Sequence, residues 1–401
     1  MATPPANPSP ASPATSAVSA ASALPGPAAR VEALRARGVR MLDPAQVFVD
    51  EDVDPARVDA SATLYPGTRL HGRRTFLSAG AAVGVEGPAT LVDCVLGEGA
   101  SIASGYAKGA VLLRAAKLGA NAHVREGTIL EEEASTAHAV GLKQTILLSF
   151  VTLGSLINFC DLLMAGGTSR EDHSEVGSGF IHFNFTPWGK SGDKATPSLI
   201  GDVTAGVFLR QRRIFLGGQA GLVGPRAVGY GSMTGAGQVV RRDVGAGQLS
   251  IQVARAVEEP LERPMSMNAR IAPVVEKNVA YIAQLRALEA FYVEARLGRA
   301  RHAGRADLVA VYEEAIANIG LCVAERVTRL KSFLKEHGGP ALPDLGAPVI
   351  TACPLPLAVA PGDADHVKWI RSLSPADVER GQAWLESVAK DVGARLRGGA
   401  A

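Results

Sequence analysis

Apolar residues recur at every sixth position through much of residues 47–244. A period of six differs from the 3.6 residues per turn of a helix and from the alternation of a half-exposed strand. It is typical of a chain wound into a triangular coil of short strands, with one inward apolar residue on each side. The clearest series are Val58, Leu64, Leu70 and Phe76; Leu118, Val124, Leu130, Thr136, Leu142 and Leu148; and Leu216, Leu222, Val228, Thr234 and Val240.

Small turn residues follow many of these inward positions, as in Leu118-Gly119 and Val228-Gly229. Tight turns after short strands are what a hexapeptide coil requires at its corners. The pattern therefore predicts a mainly β protein whose central part, residues 47–250, is a left-handed parallel β-helix of hexapeptide repeats.

The remaining parts of the chain follow other patterns. Residues 1–29 consist almost entirely of Ala, Pro, Ser and Thr, which predicts a disordered tail. Residues 30–46 are expected to form a short helix and the entry to the coil. Residues 251–401 change to spacings of three and four, which indicates an α-helical region. Its helices are predicted at about 268–298, 305–337 and 375–396. Because the last coil would otherwise expose a sheet edge, we expect these helices to cap it.

The six-residue period stops between Gly166 and Lys194. A solenoid that suspends its repeat is expected to extrude a loop there, and such insertions commonly mark the binding face.

The composition of the chain excludes several classes of function. The formal net charge of +2 gives no basic surface of the kind that nucleic acids require, so we expect no nucleic-acid partner. No apolar run reaches the length of a membrane span, and no signal peptide is recognisable. Four well-separated cysteines favour free thiols in a reducing compartment, and hence a cytoplasmic protein. They are Cys94, Cys160, Cys322 and Cys353.

The two ends of the coil carry a family resemblance over about residues 30–245. They resemble the C-terminal half of the bifunctional enzyme that makes UDP-N-acetylglucosamine. The residues concerned are Arg37-Gly38-Val39 and Asp43-Pro44 at the start, and Gly235-Ala236-Gly237 and Arg242-Asp243-Val244 at the end. The resemblance implies a homotrimer that transfers an acetyl group from acetyl-CoA to glucosamine-1-phosphate. Nothing in the chain resembles the family's nucleotidyltransferase half, so we expect no uridylyl transfer.

The same resemblance implies a phosphate site. Arg125 and Lys143 match a phosphate-binding arginine and lysine of the family, and Lys194 lies near a further family lysine. Arg125 and Lys143 are eighteen residues apart, which is one full coil, so their side chains should stack on one face as a clamp for an anion. Glu175 and Asp161 are candidates to bind a sugar hydroxyl or to orient an imidazole. Solvated surface charges are the alternative interpretation.

An acyl-CoA site is implied by a second set of matches. Asn184-Phe185 stands where the family has an Asn-Tyr pair, and Ala236 matches a small residue beside the cofactor. Acetyl-CoA, or another acyl-CoA, is therefore the expected co-substrate. The run from Phe183 to Phe185 is equally consistent with loop packing.

The proton acceptor departs from the family pattern. Attack of an amine on a thioester needs a base, commonly a histidine. Where the family has His-x-x-Tyr-x-Gly, this chain has Asp161 in place of the histidine and Met164 in place of the tyrosine. His182 is the first candidate to substitute, since it lies two residues before Asn184 on an expected strand. His173 is the second, and Asp161 would orient the imidazole.

A metal site is not expected. The γ-class carbonic anhydrases, another β-helix family, bind zinc through three histidines. The histidines of this coil lack the close pairing that such a site resembles. They are His71, His123, His138, His173 and His182.

Three functions remain open. The first is an acyl-CoA-dependent transferase that acts on an amino-sugar phosphate or nucleotide sugar. The second is a binding or regulatory protein that keeps the sugar-phosphate pocket but has lost the catalytic histidine. The third is a structural trimer whose helices at 268–337 recruit a partner.

Overall fold

The computed structural model describes residues 26–184, 194–253, 256, 258, 271–345 and 352–398. The predicted tail at 1–29 therefore lies almost entirely outside the described residues. A first helix, α1 (Pro27–Ala36), buries Val31 and Leu34 against the start of a parallel β-solenoid. The predicted left-handed parallel β-helix with a helical C-terminal region is confirmed.

The solenoid has three faces, whose strands are numbered along the chain. Face A is an eleven-stranded parallel sheet. Its strands are β1 (Arg40–Met41), β3 (Thr63–Leu64), β6 (Ala82–Val83), β9 (Ser101–Ile102), β12 (Lys117–Leu118), β15 (Ser135–Thr136), β17 (Thr152–Leu153), β19 (Glu175–Val176), β22 (Phe215–Leu216), β25 (Met233–Thr234) and β27 (Leu249–Ser250).

Faces B and C share two long strands, β16 (Gly141–Leu147) and β18 (Asn158–Met164), which bend from one face to the other. The bends lie at Gln144 and Asp161, which adopt left-handed backbone angles. Face B also contains β2 (Phe48–Val49), β4 (Arg69–His71), β7 (Ala89–Val92), β10 (Gly105–Lys108), β13 (Ala122–Val124), β20 (Ile181–Phe183), β23 (Gly221–Val223) and β26 (Val239–Val240). Face C also contains β5 (Phe76–Leu77), β8 (Val95–Leu96), β11 (Ala110–Leu112), β14 (Thr128–Leu130), β21 (Ser198–Ile200) and β24 (Ala227–Val228).

The six-residue series holds on most coils and slips on some. Val124 pairs with Leu142, eighteen residues further on, and both point into the core. Ile129 pairs with Ile146, only seventeen residues further on. Coils of unequal length shift the register, so Leu148 faces the helices instead of the coil interior, where its series had placed it. Phe76 likewise packs against the helix-facing cluster.

The predicted loop at 166–194 is not one insertion. The chain returns to the solenoid within it, at β19 and β20. Among the described residues, two separate excursions leave the coil instead, at about 165–174 and 201–214, and residues 185–193 lie outside the described part. The last of them contains the short helix α2 (Val203–Gly206).

The bounds of the long C-terminal helices agree closely with the predicted ones. The helices of this region are α3 (Ile271–Ala290), a π-helical stretch (Phe291–Leu297), α4 (Gly298–His302), α5 (Ala306–Glu336), α6 (His366–Ser372) and α7 (Pro375–Leu396). Helix α7 begins with a capping box between Ser374 and Asp377, as the sequence Ser-Pro-Ala-Asp suggests.

These helices lie along face C, so the prediction that they cap the last coil is wrong. Their apolar side chains form one buried cluster with outward residues of face C such as Val111, Ile129, Ile146 and Leu163. Helix α3 contacts the last coil only at its edge, where Lys277 forms an ion pair with Asp243. Strands such as Ala110–Leu112 are buried on both sides, because the coil core and the helices each cover one side.

Two buried ion-pair groups join the helices to face C. Arg296 contacts Glu132 at 2.6 Å and Glu131 at 3.1 Å, and all three side chains are almost fully buried. Arg326 of α5 contacts Asp161 at 2.9 Å. Removing one partner of such a pair leaves an uncompensated buried charge, so these contacts fix where the helices sit.

Candidate functional site

Face B carries two stacked cations, Arg125 and Lys143. The pairing of Val124 with Leu142 sets Arg125 beside Lys143 on the next coil, about 4.8 Å away by strand spacing. This is the placement that their eighteen-residue separation predicts. Among the described residues, neither side chain forms a salt bridge.

Lys108 provides a contrast in the same column of face B. It lies one coil before Arg125, because Ala107 pairs with Val124. Its ammonium group forms a 2.7 Å ion pair with Glu126, which raises the pKa of Lys108 and lowers that of Glu126. Arg125 and Lys143 form no salt bridge with any described residue, although the charge of Lys143 also helps to lower the pKa of Glu126. Three cations therefore lie near one carboxylate, and this part of the column carries excess positive charge.

An open pocket of about 530 Å³ lies beside Arg125, and its lining extends to Leu142, the residue before Lys143. Gly141 forms the floor of the pocket. It has no side chain, so it leaves a gap in the column of outward side chains on face B. His123 and Asn158 occupy the positions before and after Gly141 in that column, and both line the pocket with Arg125. The ring of His123 stacks on that of Tyr106, with centroids 5.4 Å apart.

Cys160 continues the cation column by one further coil. Its Sγ lies 4.0 Å from Nη2 of Arg125. Burial raises the pKa of this thiol and Asp161 adds to the effect, while Arg125 and Lys143 act in the opposite direction. The thiol is therefore protonated at neutral pH and is not a nucleophile.

Asp161, the residue aligned with the family histidine, is held by structural contacts. Its Oδ1 accepts from Nη2 of Arg326 at 2.9 Å, and its Oδ2 accepts from Nδ2 of Asn184 at 2.9 Å. Only 5% of Asp161 is exposed. One oxygen thus holds α5 and the other holds Asn184, which argues against the predicted roles of Asp161 in catalysis and of Asn184 in cofactor binding.

His182 is buried in the coil and both of its ring nitrogens are engaged. Nδ1 lies 2.6 Å from the carbonyl oxygen of Cys160, and Nε2 lies 2.8 Å from Oγ of Ser198. Burial lowers the pKa of His182 to about 4, against the raising effects of the Cys160 hydrogen bond and Asp161. A histidine with no free nitrogen and no solvent path is a structural group, and this argues against its predicted role as the base.

His173 and Glu175 lie elsewhere, at the start of β19 on face A. Nδ1 of His173 donates to the carbonyl oxygen of Arg170 at 2.7 Å, and Nε2 lies 3.7 Å from a carboxylate oxygen of Glu175. The pair is partly accessible but belongs to a different face from Arg125 and Lys143. Within one chain, the structure does not bring it to the phosphate-site candidates.

The remaining predicted site residues are dispersed. Lys194 is exposed, and its carbonyl oxygen accepts from Arg326, near Asp161. Ala236 is exposed in the turn between β25 and β26. Phe185 lies outside the described residues.

Sequence reasoning overlooked His123 and Asn158 as pocket residues. Strand alternation could have identified them. His123 and Arg125 are two residues apart on one strand, and Asn158 and Cys160 are two residues apart on another. The side chains of each pair therefore point outward together. In the parts of the chain that the structure describes, no group of three or more metal-ligating side chains occurs. The same parts contain no helix with the length and apolar character to span a membrane.

Comparison with known proteins gives no matching family model. Similar sequences include bifunctional protein GlmU of Pseudarthrobacter chlorophenolicus, 31% identical over 252 residues, which are 62% of this chain and 46% of that protein. GlmU of Kineococcus radiotolerans is 31% identical over 217 residues, 54% of this chain and 39% of that protein. GlmU of Paenarthrobacter aurescens is 29% identical over 261 residues, 64% of this chain and 47% of that protein.

The chain thus spans less than half the length of these curated relatives. The predicted resemblance is confirmed at this level. The solenoid of this chain is a hexapeptide-repeat β-helix, and the chain is similar in sequence to part of the bifunctional GlmU proteins.

Proposed function

We propose that face B binds the phosphate of a sugar phosphate or nucleotide sugar through Arg125 and Lys143. The observation that carries this proposal is a pair of cations in register on neighbouring coils, without carboxylate partners among the described residues, beside an open pocket. Like charges at strand spacing repel each other. A bound phosphate would reverse that repulsion, since guanidinium and ammonium groups both form strong, charge-assisted hydrogen bonds to it.

The pocket supports a ligand with more than a phosphate. His123 and Asn158 offer hydrogen-bonding groups on either side of the gap above Gly141, within reach of a sugar ring. The size of the pocket, about 530 Å³, is in the range of small-molecule sites.

Binding without acyl transfer is the function that the geometry supports best. Asp161 and His182, two of the proposed proton-transfer residues, are occupied by structural contacts. His173 lies on another face. We therefore propose a sugar-phosphate or nucleotide-sugar binding protein built on an acyltransferase solenoid.

Calorimetry with UDP-N-acetylglucosamine and glucosamine-1-phosphate tests this function. Arg125→Gln and Lys143→Gln should each weaken binding at least about tenfold, the loss expected for one charged hydrogen bond. Lys108→Gln is the matched control, because Lys108 lies in the same column but is already paired with Glu126. No measurable binding of any phosphorylated sugar, or equal loss in all three variants, would refute the proposal.

Acyl transfer is the second candidate, and the observation that favours it is His123. This histidine is exposed and lines the pocket together with Arg125. In that case the imidazole would take the proton as a substrate amine attacks an acyl-CoA thioester. The C–S bond would break, and CoA would leave as the thiolate. Asn184, Phe185 and Ala236 stay proposals for the acyl-CoA side.

Release of free CoA separates the two candidates. An amino-sugar phosphate and acetyl-CoA should yield thiol at a rate that His123→Gln reduces at least about a hundredfold if His123 is the base. Ligand binding without thiol release supports the binding function.

A homotrimer also stays a proposal, carried by the resemblance, and sedimentation equilibrium tests it. Because the helices cover face C, a trimer contact would have to use faces A and B or the solenoid ends.

A further inference from the structure

The gap above Gly141 on face B is not required by the fold. The backbone of Gly141 does not adopt a left-handed conformation. A Cβ atom added to it would meet nothing closer than 3.4 Å, at the side-chain oxygen of Asn158, which is an ordinary contact distance. Glycine also weakens a strand, because it has no side chain to pack. Neither backbone geometry nor packing among the described residues therefore explains why this position is empty.

A second glycine in the same column shows what such a position accommodates. Gly221 lies two coils beyond Asn158, since Asn158 pairs with Ile181 and Ile181 pairs with Gly221. A Cβ atom on Gly221 would overlap Cε2 of Phe183, so the phenyl ring occupies the space above that glycine. Above Gly141, no aromatic atom of the described residues comes within 3.9 Å of the corresponding point. Glycine in this column thus makes room for a flat ring, which at Gly141 would belong to a ligand.

Two protein rings lead up to the gap. Tyr106, His123 and Gly141 follow one another in the column, one coil apart. The rings of Tyr106 and His123 are stacked, with planes 26° apart. Because Gly141 lies on the opposite side of His123 from Tyr106, the second face of the imidazole borders the gap. A third ring above Gly141 would continue the stack at the coil spacing of about 4.8 Å.

The dimensions and the far wall of the gap suit a nucleobase. The coils that carry His123 and Asn158 are two strand spacings apart, about 9.6 Å, which leaves room for one planar ring between their side chains. Asn158 is exposed, and its amide offers both donors and an acceptor. Proteins commonly recognise a base by stacking it on an aromatic side chain, histidine included, and by hydrogen bonds to its edge.

The proposed phosphate site lies next to this gap. Lys143 follows Gly141 by two residues on one strand, about 6.6 Å along it, and Arg125 lies beside Lys143 on the preceding coil. A ribose joins a base to its 5′-phosphate across a comparable distance. On the other side of Gly141, the pocket is lined by Ala139 and Leu156, which carry no charge. The pocket therefore has a cationic side for phosphate and an uncharged side for a ring.

We propose that the face B site takes a nucleotide, whose base stacks on His123 above Gly141. Asn158 would bond to the edge of the base, and Arg125 and Lys143 would bind the phosphate. This inference rests on the phosphate site proposed above and narrows its substrate class, because a simple sugar phosphate has no aromatic ring to place in the gap. A nucleotide sugar and the adenine nucleotide part of an acyl-CoA share this chemistry.

Equilibrium binding of UMP, AMP and ribose-5-phosphate to the full chain tests the proposal, because these ligands differ in the base alone. The preferred nucleotide should bind at least about tenfold more tightly than ribose-5-phosphate, which is the size of effect that stacking a base produces. A preference for UMP assigns the site to a nucleotide sugar, and a preference for AMP assigns it to an adenine nucleotide. Equal binding of all three ligands would overturn the inference and leave the phosphate site standing.

Three variants locate the base. Gly141→Val fills the gap and should remove the preference for the nucleotide over ribose-5-phosphate. His123→Ala should remove it as well, whereas His123→Phe keeps a ring and should retain it. The control is Thr90→Val, because Thr90 lies in the same column on the far side of Tyr106. It should leave the preference unchanged, and thermal unfolding checks that each variant is folded.

The outcomes for the base and for the phosphate are distinguishable. Arg125→Gln and Lys143→Gln should weaken all three ligands by the same factor, since the phosphate is common to them. A nucleotide preference that survives Gly141→Val, or one that is lost in His123→Phe, would overturn the stacking arrangement alone. No binding of any of the three ligands would refute the phosphate site and this inference together.

Discussion

Faces B and C are built from the same coils, yet they carry charge in opposite ways. On face C the charged groups Glu131, Glu132 and Arg296 are buried and mutually paired under the helices. On face B, Arg125 and Lys143 stand at the surface beside an open pocket, with no carboxylate partner among the described residues. A buried charge without a partner is very costly, whereas an exposed one is tolerated. The paired charges therefore maintain the architecture, and the unpaired ones are available for a ligand.

The largest effect is expected at the centre of the covered face. Arg296→Met should lower the free energy of unfolding by about 3–5 kcal/mol, because two buried carboxylates lose their shared cation. Urea denaturation measures the change. Arg301→Met, from the same helical region but in an exposed pair with Glu313, should cost no more than about 1 kcal/mol. Equal losses in the two variants would show that the buried cluster does not hold the helices.

Apolar side chains should show the same division between faces. Leu148 is fully buried between face C and the helices, so Leu148→Ala should cost about 2–5 kcal/mol by leaving a cavity. Leu156, at the edge of the face B pocket, is 60% exposed, and Leu156→Ala should change stability by less than about 0.5 kcal/mol. Thermal unfolding of both variants checks the difference. A large loss from Leu156→Ala would indicate that this edge is covered by another chain.

The pattern of apolar residues predicts the coil, but it did not lead us to predict which face of the coil the helices cover. The six-residue period is a local property, so it predicts the solenoid, and the helix bounds 305–337 and 375–396 agree closely with Ala306–Glu336 and Pro375–Leu396. The sequence does contain a signal for the face on which the helices dock. Runs such as Val111-Leu112-Leu113 and Ile146-Leu147-Leu148 lack the polar alternate residues that an exposed strand would have.

The candidate site was predictable to the extent that it depends on coil spacing. Arg125 and Lys143 are one coil apart, and their stacking follows from that alone. The contact of Asp161 with Arg326 joins residues far apart in the chain, and no local pattern encodes it. Motif alignment selected Asp161, and its position two residues before Asn184 selected His182, while their contacts with residues distant in the chain make both structural.

A pH dependence should follow from His182. Burial lowers its folded-state pKa to about 4 from an ordinary 6.5, so the unfolded chain binds the extra proton first as the pH falls. The stabilising effect of the neutral ring is complete above about pH 6.5 and is lost between about pH 6.5 and 4. The free energy of unfolding should fall by up to about 3 kcal/mol over that interval. His182→Gln should flatten this part of the profile, and an unaltered slope would mean that other groups dominate it.

The smallest effect is expected where the proposed ligand binds. Lys143→Gln relieves the repulsion between two stacked cations, so the unliganded protein should keep its stability or gain a few tenths of a kcal/mol. Residues that serve binding commonly do so against local stability, because their favourable partner is the ligand. A sugar phosphate should raise the melting temperature of the unaltered protein, and Lys143→Gln should lose that increase. If Lys143→Gln instead destabilised the free protein markedly, the cation column would belong with the structural charges of face C, and the contrast between the two faces would fail.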